Sequence, residues 1–354
     1  MSPTPPTSTP WFDAHLDLAY LAVCGRDMRS ADLARCGGPD LPAAVTLPSL
    51  SLGRVRSCLA TVFTEMDGSN EASYPAGDAE AARRAGVAQM DVYARWRREG
   101  LISFPGDPVR ASLEVRILIE GADPVTDPAH LKGWAAHGVA AVGLAWAKGS
   151  RYAGGNTQAA GLTSAGRDFV LEIDRLGLVH DVAHLSDAAL DDLLSLATGP
   201  VIASHSNCRA LIDAPGDSPT QRHLTDATIR AVAARGGVIG LNLYSAFLRR
   251  DGRARRATVD DCIRHVERVA DVAGRRSAVG LGSDMDGGFG ADRMPEGIDR
   301  PAHLPRLLDA LASRGWPDAD ITGFAHGHWD ALWREADARQ PERMEREANS
   351  TGIP

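Results

Sequence analysis

No run of 18 apolar residues occurs anywhere in the chain, so no segment is long enough to cross a membrane as a helix. Basic residues are in deficit. Against 46 Asp and Glu stand 38 Lys and Arg, a net charge of -8 with a pI near 5.8, which leaves no electrostatic footprint for nucleic acid. Residues 1–10 are rich in Pro, Thr and Ser but carry no Lys, no Arg and no apolar stretch. They read as a disordered leader and not as a signal peptide. Cysteine is sparse: Cys24, Cys36, Cys58, Cys208 and Cys262 are odd in number and scattered without a CxxC. That usage fits a reduced, cytoplasmic compartment. There is no repeat of solenoid type and no block of five like charges.

What is present is ordinary globular composition, 44% hydrophobic and 24% charged over 354 residues. At the usual ~150 residues per domain the length suggests two domains, but one α/β barrel with insertions fits it equally. Short β-rich apolar runs fall at residues 12–18, 58–64, 115–120, 140–146, 179–184, 201–206, 238–244 and 278–284. Helical patterns separate them, at 78–98, 164–176, 187–196, 225–235 and 258–273. Such alternation means βαβ units and a parallel sheet. Eight strands close a (β/α)8 barrel of the TIM type, and no GxGxxG follows the first strand to argue for a dinucleotide fold. Ser186-Asp187 signals one helix start, and Thr258 with Asp261 signals another. Residues 21–57 and 292–301 read as loop insertions. The expected organisation is a leader at 1–10, a single barrel domain at 11–337 and a tail at 338–354.

The polar residues of these strands fall at their C-terminal ends, where barrel enzymes assemble their sites. His15 and Asp17 lie near the end of the first strand, two residues apart and so on one face. Glu120 ends the third, His184 the fifth and Asp284 the eighth, while His205 lies one residue from the end of the sixth. Singly, a strand histidine is more often a core residue than a ligand, and an acid at a strand end is more often a helix cap. Glu120 does not fit that pattern, because it follows Ile117-Leu118-Ile119, where a buried carboxylate without a cation costs several kcal/mol. Together the six offer imidazole and carboxylate ligands suited to Zn²⁺, or less specifically to Mn²⁺, Co²⁺ or Fe²⁺. A carboxylate between two histidine-bearing halves is the natural bridge of a two-metal site. His180 reads as structural. His137, His265 and His303 fall in or beside helices, and His326 and His328 in a terminal loop. Asp286 is expected to order the glycine turn that follows it.

The chain resembles the membrane dipeptidase (renal dipeptidase, peptidase M19) family of the amidohydrolase superfamily. Asp13-Ala14-His15-Leu16-Asp17 is similar to its DxHxD, and Ile119-Glu120-Gly121 to its bridging-glutamate motif. Gly161-Leu162-Thr163, Gly166-Arg167 and Asp181-Val182-Ala183-His184 resemble its GLT…GR…DxxH run. Ser204-His205-Ser206-Asn207 and Gly282-Ser283-Asp284-Met285-Asp286-Gly287 resemble its SHS and GSDxDG segments. The likeness runs from about residue 11 to residue 337.

The resemblance implies that His15 and Asp17 bind one divalent ion and His184 and His205 a second, with Glu120 bridging. Asp284 would handle the proton of the bridging water. Arg222, preceded by an insertion around residues 215–220, would bind the substrate's C-terminal carboxylate. Trp146 stands where many members have a histidine that meets the scissile carbonyl; an indole donates one hydrogen bond but cannot be an imidazolium. Near the C-terminus the family's Gly-x-Asn is also altered, to Gly327-His328. The expected function is therefore a binuclear zinc dipeptidase working through a metal-bridged hydroxide on dipeptides, L,D members among the candidates. Another metal-dependent amidase or lactonase on the same scaffold, or an inactive barrel serving as a binding protein, are the alternatives. No nucleic-acid or membrane partner is expected, and a homodimer is left open.

Overall fold

The computed structural model describes residues 9–213 and 221–339. The leader through residue 8 and the tail from residue 340 lie outside the described residues. Strands form at every β-rich run: β1 Trp11–Leu16, β2 Val55–Phe63, β3 Glu114–Glu120, β4 Val139–Gly143, β5 Val179–Asp181, β6 Val201–Ile202, β7 Ile239–Leu241 and β8 Val279–Leu281. The first six make one parallel sheet in sequence order, and β7 and β8 make a second, two-stranded parallel sheet. The architecture is an α/β fold with a curled parallel sheet. One parallel bridge, Ala203 to Ile239, links the two sheets. At the other edge Asp284 N–H donates to the His15 carbonyl (3.2 Å).

The later strands are only two or three residues long, shorter than their apolar runs. Consequently His184, His205 and Asp284 lie in the loops just after β5, β6 and β8 and not within the strands. His184 (φ 65°) and Asp284 (φ 59°) adopt left-handed backbone, which no strand can continue through and which non-glycine residues rarely hold. The 21–57 stretch is more ordered than a loop, since it carries the helix Leu47–Leu52. Thr46 caps that helix reciprocally with Ser49. Both signalled helix starts hold, with Ser186 accepting from Ala189 N–H and Thr258 forming a capping box with Asp261. His326 and His328 lie in a π-helical turn and the helix that follows it, not in a loop.

Strand periodicity of two explains how the site is raised on this frame. On the face turned away from the outer helices, Phe12, Leu59, Leu118, Val179 and Ile202 form one apolar layer, closed below by Trp329. Two residues further along three of those strands stand Thr61, Glu120 and Asp181, all buried. The alternate face (Ala60, Val62, Ile117, Ile119) packs against helical Tyr93, Trp96 and Trp134. The sheet thus delivers polar groups to one end of a dry interior.

His180 proves structural. Its Nε2 meets Asp174 Oδ1 at 2.7 Å, and the same carboxylate accepts from Thr198 N–H, Thr198 Oγ1 and Gly199 N–H, each at 2.8 Å. Burial opposes the charge, but the bonds to His180 and Thr198 hold Asp174 well below the usual carboxylate range. A depressed carboxylate contributes stability above its unfolded pKa and loses it as pH falls. Asp174→Ala is expected to cost about 2–3 kcal/mol near neutral pH, at roughly 1 kcal/mol per bond less some relaxation. Chemical denaturation should show that deficit shrinking on acidification below pH 4; an equal deficit at all pH values would mean that the carboxylate's charge plays no part.

Candidate metal centre

Glu120, at the end of β3, stands between three imidazoles. His15 Nε2 lies 3.3 Å from Oε2, and His184 Nε2 and His205 Nε2 lie 3.2 and 3.5 Å from Oε1. His15 Nε2 also faces Asp17 Oδ1 at 3.7 Å and Asp284 Oδ1 at 3.9 Å. Two donor sets follow, His15–Glu120–His205 and His15–Asp17–Asp284, each with its ligand atoms within 4.8 Å of one another. All six residues are buried. The structure therefore brings together every ligand position read from the sequence.

Hydrogen bonds to the far ring nitrogens fix the tautomers. Ser204 Oγ donates to Asp181 Oδ2 (2.6 Å), so it accepts from His205 Nδ1 (2.8 Å), and it also lies 3.3 Å from His15 Nδ1. Asn156 Oδ1 accepts from His184 Nδ1 (3.1 Å). The Nε2 lone pairs of His184 and His205 then face each other at 2.9 Å. Burial disfavours a proton on either ring. Burial and then Arg222 push His184 down to about 4, and burial and then His15 push His205 well below the imidazole range. Bare nitrogens at that distance, beside a carboxylate, form a donor set that fits a divalent cation.

The carboxylates show the same imbalance. Burial raises Asp17 to about 7, with Glu120 adding to it. Burial raises Asp284 to about 8, against the pull of His15. Glu120 is instead held far below the usual range, because the cationic His15 outweighs its burial. Burial likewise opposes charge on His15, but Glu120, Asp17 and Asp284 lift it to about 10. Ionising all three buried acids around one cationic imidazole would leave negative charge uncompensated, which cations of charge +2 would balance.

Asp284 has neighbours of its own. Asn242 Nδ2 donates to its Oδ2 at 2.7 Å, and its Oδ1 lies 3.9 Å from His15 Nε2. Gly287 is required here, since a Cβ at that position would strike Asp284 Oδ1. Asp286 does more than order the turn. Its carboxylate accepts from Ala44 N–H (2.9 Å) and Val45 N–H (2.8 Å) and forms a fully buried ion pair with Arg26. Arg26 also donates to the carbonyls of Gly37, Pro39 and Val45. The pair staples the 25–46 segment to the loop that carries Asp284.

A cavity of about 270 Å³ opens above these groups, lined by Asp17, Glu120, His184, His205, Asp284 and Trp146 together with further aromatic rings. Trp146 lies beyond β4, its ring 5.8 Å from that of His184. Arg222 is buried and not, as a residue preceding a helix could be, on the surface. It donates to the His205 carbonyl (2.8 Å) and Ser206 Oγ (3.1 Å), and its guanidinium lies 5.0 Å from the centre of the Phe247 ring. The insertion expected ahead of Arg222 falls within residues 214–220, which lie outside the described residues. Sequence reasoning gives no role to Asp181, Ser204, Asn156 or Asn242. The first two sit inside the family-like motifs; Asn156 and Asn242 carry no sequence signal.

Comparison with known proteins gives the chain's family and relatives. A sequence model of the family described as membrane dipeptidase (peptidase family M19) matches residues 6–346. An uncharacterised protein of Klebsiella pneumoniae is 30% identical over 79% of this chain and 88% of its own. An uncharacterised dipeptidase of Schizosaccharomyces pombe is 27% identical over 93% of this chain and 81% of its own. Among solved structures, a metallopeptidase of Rhodobacter sphaeroides, bound to a phosphinate mimic of L-Ala-D-Ala, superposes with a TM-score of 0.77 at 24% identity. It covers 92% of this chain and 99% of its own. A dipeptidase of metallopeptidase family M19 gives a TM-score of 0.76 at 25% identity, covering 92% and 98%. The chain belongs to the membrane dipeptidase family, peptidase family M19, and is a metallo-dipeptidase.

Proposed function

We propose that the cluster holds two divalent ions, zinc by its mixed nitrogen and oxygen donors, and hydrolyses the peptide bond of dipeptides with a free C-terminus. The observation that carries this is the placement of Glu120, one oxygen toward His15 and the other toward His184 and His205. His15 and Asp17 would hold one ion and His184 and His205 the other, with Glu120 placed to reach both. When bound, such ions supply Lewis acidity, polarising a carbonyl and making water acidic near neutral pH. Asp284 then takes the water's proton on Oδ1, the oxygen Asn242 leaves free, and returns it to the leaving amine. Trp146 donates its indole N–H toward the reacting carbonyl. Arg222 receives the substrate carboxylate. In this reading the eight strands form a single barrel domain, and the Ala203–Ile239 bridge and the Asp284–His15 hydrogen bond support it. The five free cysteines fit a reducing, cytoplasmic setting.

The test is an assay of paired substrates, dipeptides and their C-terminal amides, in L,L and L,D series because the Rhodobacter neighbour's ligand mimics an L,D pair. An amide leaves the Arg222 guanidinium without its counter-charge and should lower kcat/KM about a hundredfold. Arg222→Met should bring acid and amide to the same low level. Equal cleavage of acids and amides by the natural enzyme would instead favour a general amidase on this scaffold.

A further inference from the structure

Above the ligand cluster the cavity is walled by aromatic rings in two chains. Tyr20 and Phe63 have centroids 5.2 Å apart and Phe63 and Trp146 5.3 Å, both edge-on, which makes one continuous wall ending beside His184. Opposite, Tyr244 stacks on Phe289 at 4.5 Å and meets Phe247 edge-on at 4.9 Å. Among the lining residues, the one acid outside the cluster is Glu65, and it already accepts from Lys148 Nζ at 2.8 Å. No Lys or Arg is among the described residues that line the cavity. Its volume of about 270 Å³ lies just under the ~300–1,000 Å³ of pockets for drug-sized ligands, a size that suits a substrate as small as a dipeptide.

We propose that these two walls make the enzyme selective for dipeptides with large apolar side chains and exclude acidic ones; the inference rests on the dipeptidase reading above. The physical reason is differential desolvation. An apolar side chain entering between the walls exchanges water for ring surface. A carboxylate side chain loses its hydration there and approaches Asp17 and Glu120, while Lys148 is already paired with Glu65 and Arg222 is taken up by the substrate's own C-terminal carboxylate. The walls divide the work. Arg222 lies behind Phe247, so a substrate anchored by its carboxylate sets its second side chain against Tyr244 and Phe289. Its first side chain then falls against Phe63 and Trp146. In this chain the ring of Trp146 completes the first wall between Phe63 and His184.

The experiment measures kcat/KM of the zinc-loaded enzyme for Leu-Leu, Leu-Ala, Ala-Leu, Ala-Ala, Asp-Leu and Leu-Asp, all with free termini. Leu-Leu should exceed Ala-Ala at least tenfold and each Asp-containing dipeptide at least a hundredfold. Phe63→Ala should pull the Leu-Ala to Ala-Ala ratio toward one while leaving the Ala-Leu to Ala-Ala ratio high, and Phe289→Ala should do the reverse. Bound zinc per chain should be unchanged in both. Phe63→Leu and Phe289→Leu, milder in volume, should shift the same ratios in the same direction by less. Hydrolysis of all six at similar rates, or faster hydrolysis of the Asp-containing pair, would overturn the inference and leave the dipeptidase reading intact. Hydrolysis of none of them would overturn that reading, and this inference with it.

Discussion

Asp284→Asn should lower kcat by ~10²–10⁴, the range for loss of a positioned general acid–base, while leaving the fold and bound metal in place. The amide is isosteric, so Asn242 keeps a partner at the same site, but it can neither accept the water's proton at Oδ1 nor return it. KM should change little, because the lost interaction belongs to the transition state. The pH dependence follows from the direction of the shift. Burial raises this carboxyl to about 8 among the protein's own charges, and bound cations favour its ionised form and bring it down. Activity in the natural enzyme should therefore fall on the acid side as Asp284 becomes protonated, and the variant's residual activity should lack that limb. Retention of near-full kcat in Asp284→Asn would remove this residue from the chemistry.

Arg26→Met should cost about 3–5 kcal/mol, as removal of one partner from a buried ion pair does. Both side chains are wholly inaccessible, so the Asp286 carboxylate would keep only two backbone donors. Burial already raises Asp286 to about 6 against the pull of Arg26, and losing the guanidinium raises it further. A carboxyl whose folded pKa is raised loses stability as pH rises through that pKa. The variant's deficit should widen from pH 5 to pH 8. Asp286→Asn in the Arg26→Met background should recover part of it, because a neutral amide needs no counter-ion. A deficit that neither varies with pH nor responds to the second substitution would mean the pair acts through packing alone.

The ligand set was legible because metal chemistry leaves a compact signature. Acids and histidines at or just past the ends of apolar strands are costly to bury without a cation. Less was legible where tertiary structure decides. His184 and Asp284 occupy left-handed backbone that ends β5 and β8 early, and a strand pattern cannot announce such a turn. Arg222 reads equally well as a surface residue, since its burial depends on Phe247 and the His205 carbonyl, which are remote in sequence. The Arg26–Asp286 staple spans 260 positions. Neither half has a local pattern, so the sequence points to Asp286 only through the adjoining glycines. Asn156 and Asn242 act by single hydrogen bonds to a ligand and to Asp284, contacts that only the fold creates.

The most direct test is to count metal and activity together. The enzyme is stripped with a chelator, titrated with Zn²⁺, and followed by bound zinc per chain and by dipeptide hydrolysis. Activity should be lost on stripping and return in full near two equivalents. Glu120→Gln should weaken both sites by more than the ~10–100-fold that loss of a supporting outer contact costs, whereas His184→Ala should empty mainly one. Full dipeptide hydrolysis by the stripped chain, or two ions retained tightly by Glu120→Gln, would contradict the assignment of this cluster as a bridged two-metal peptidase site.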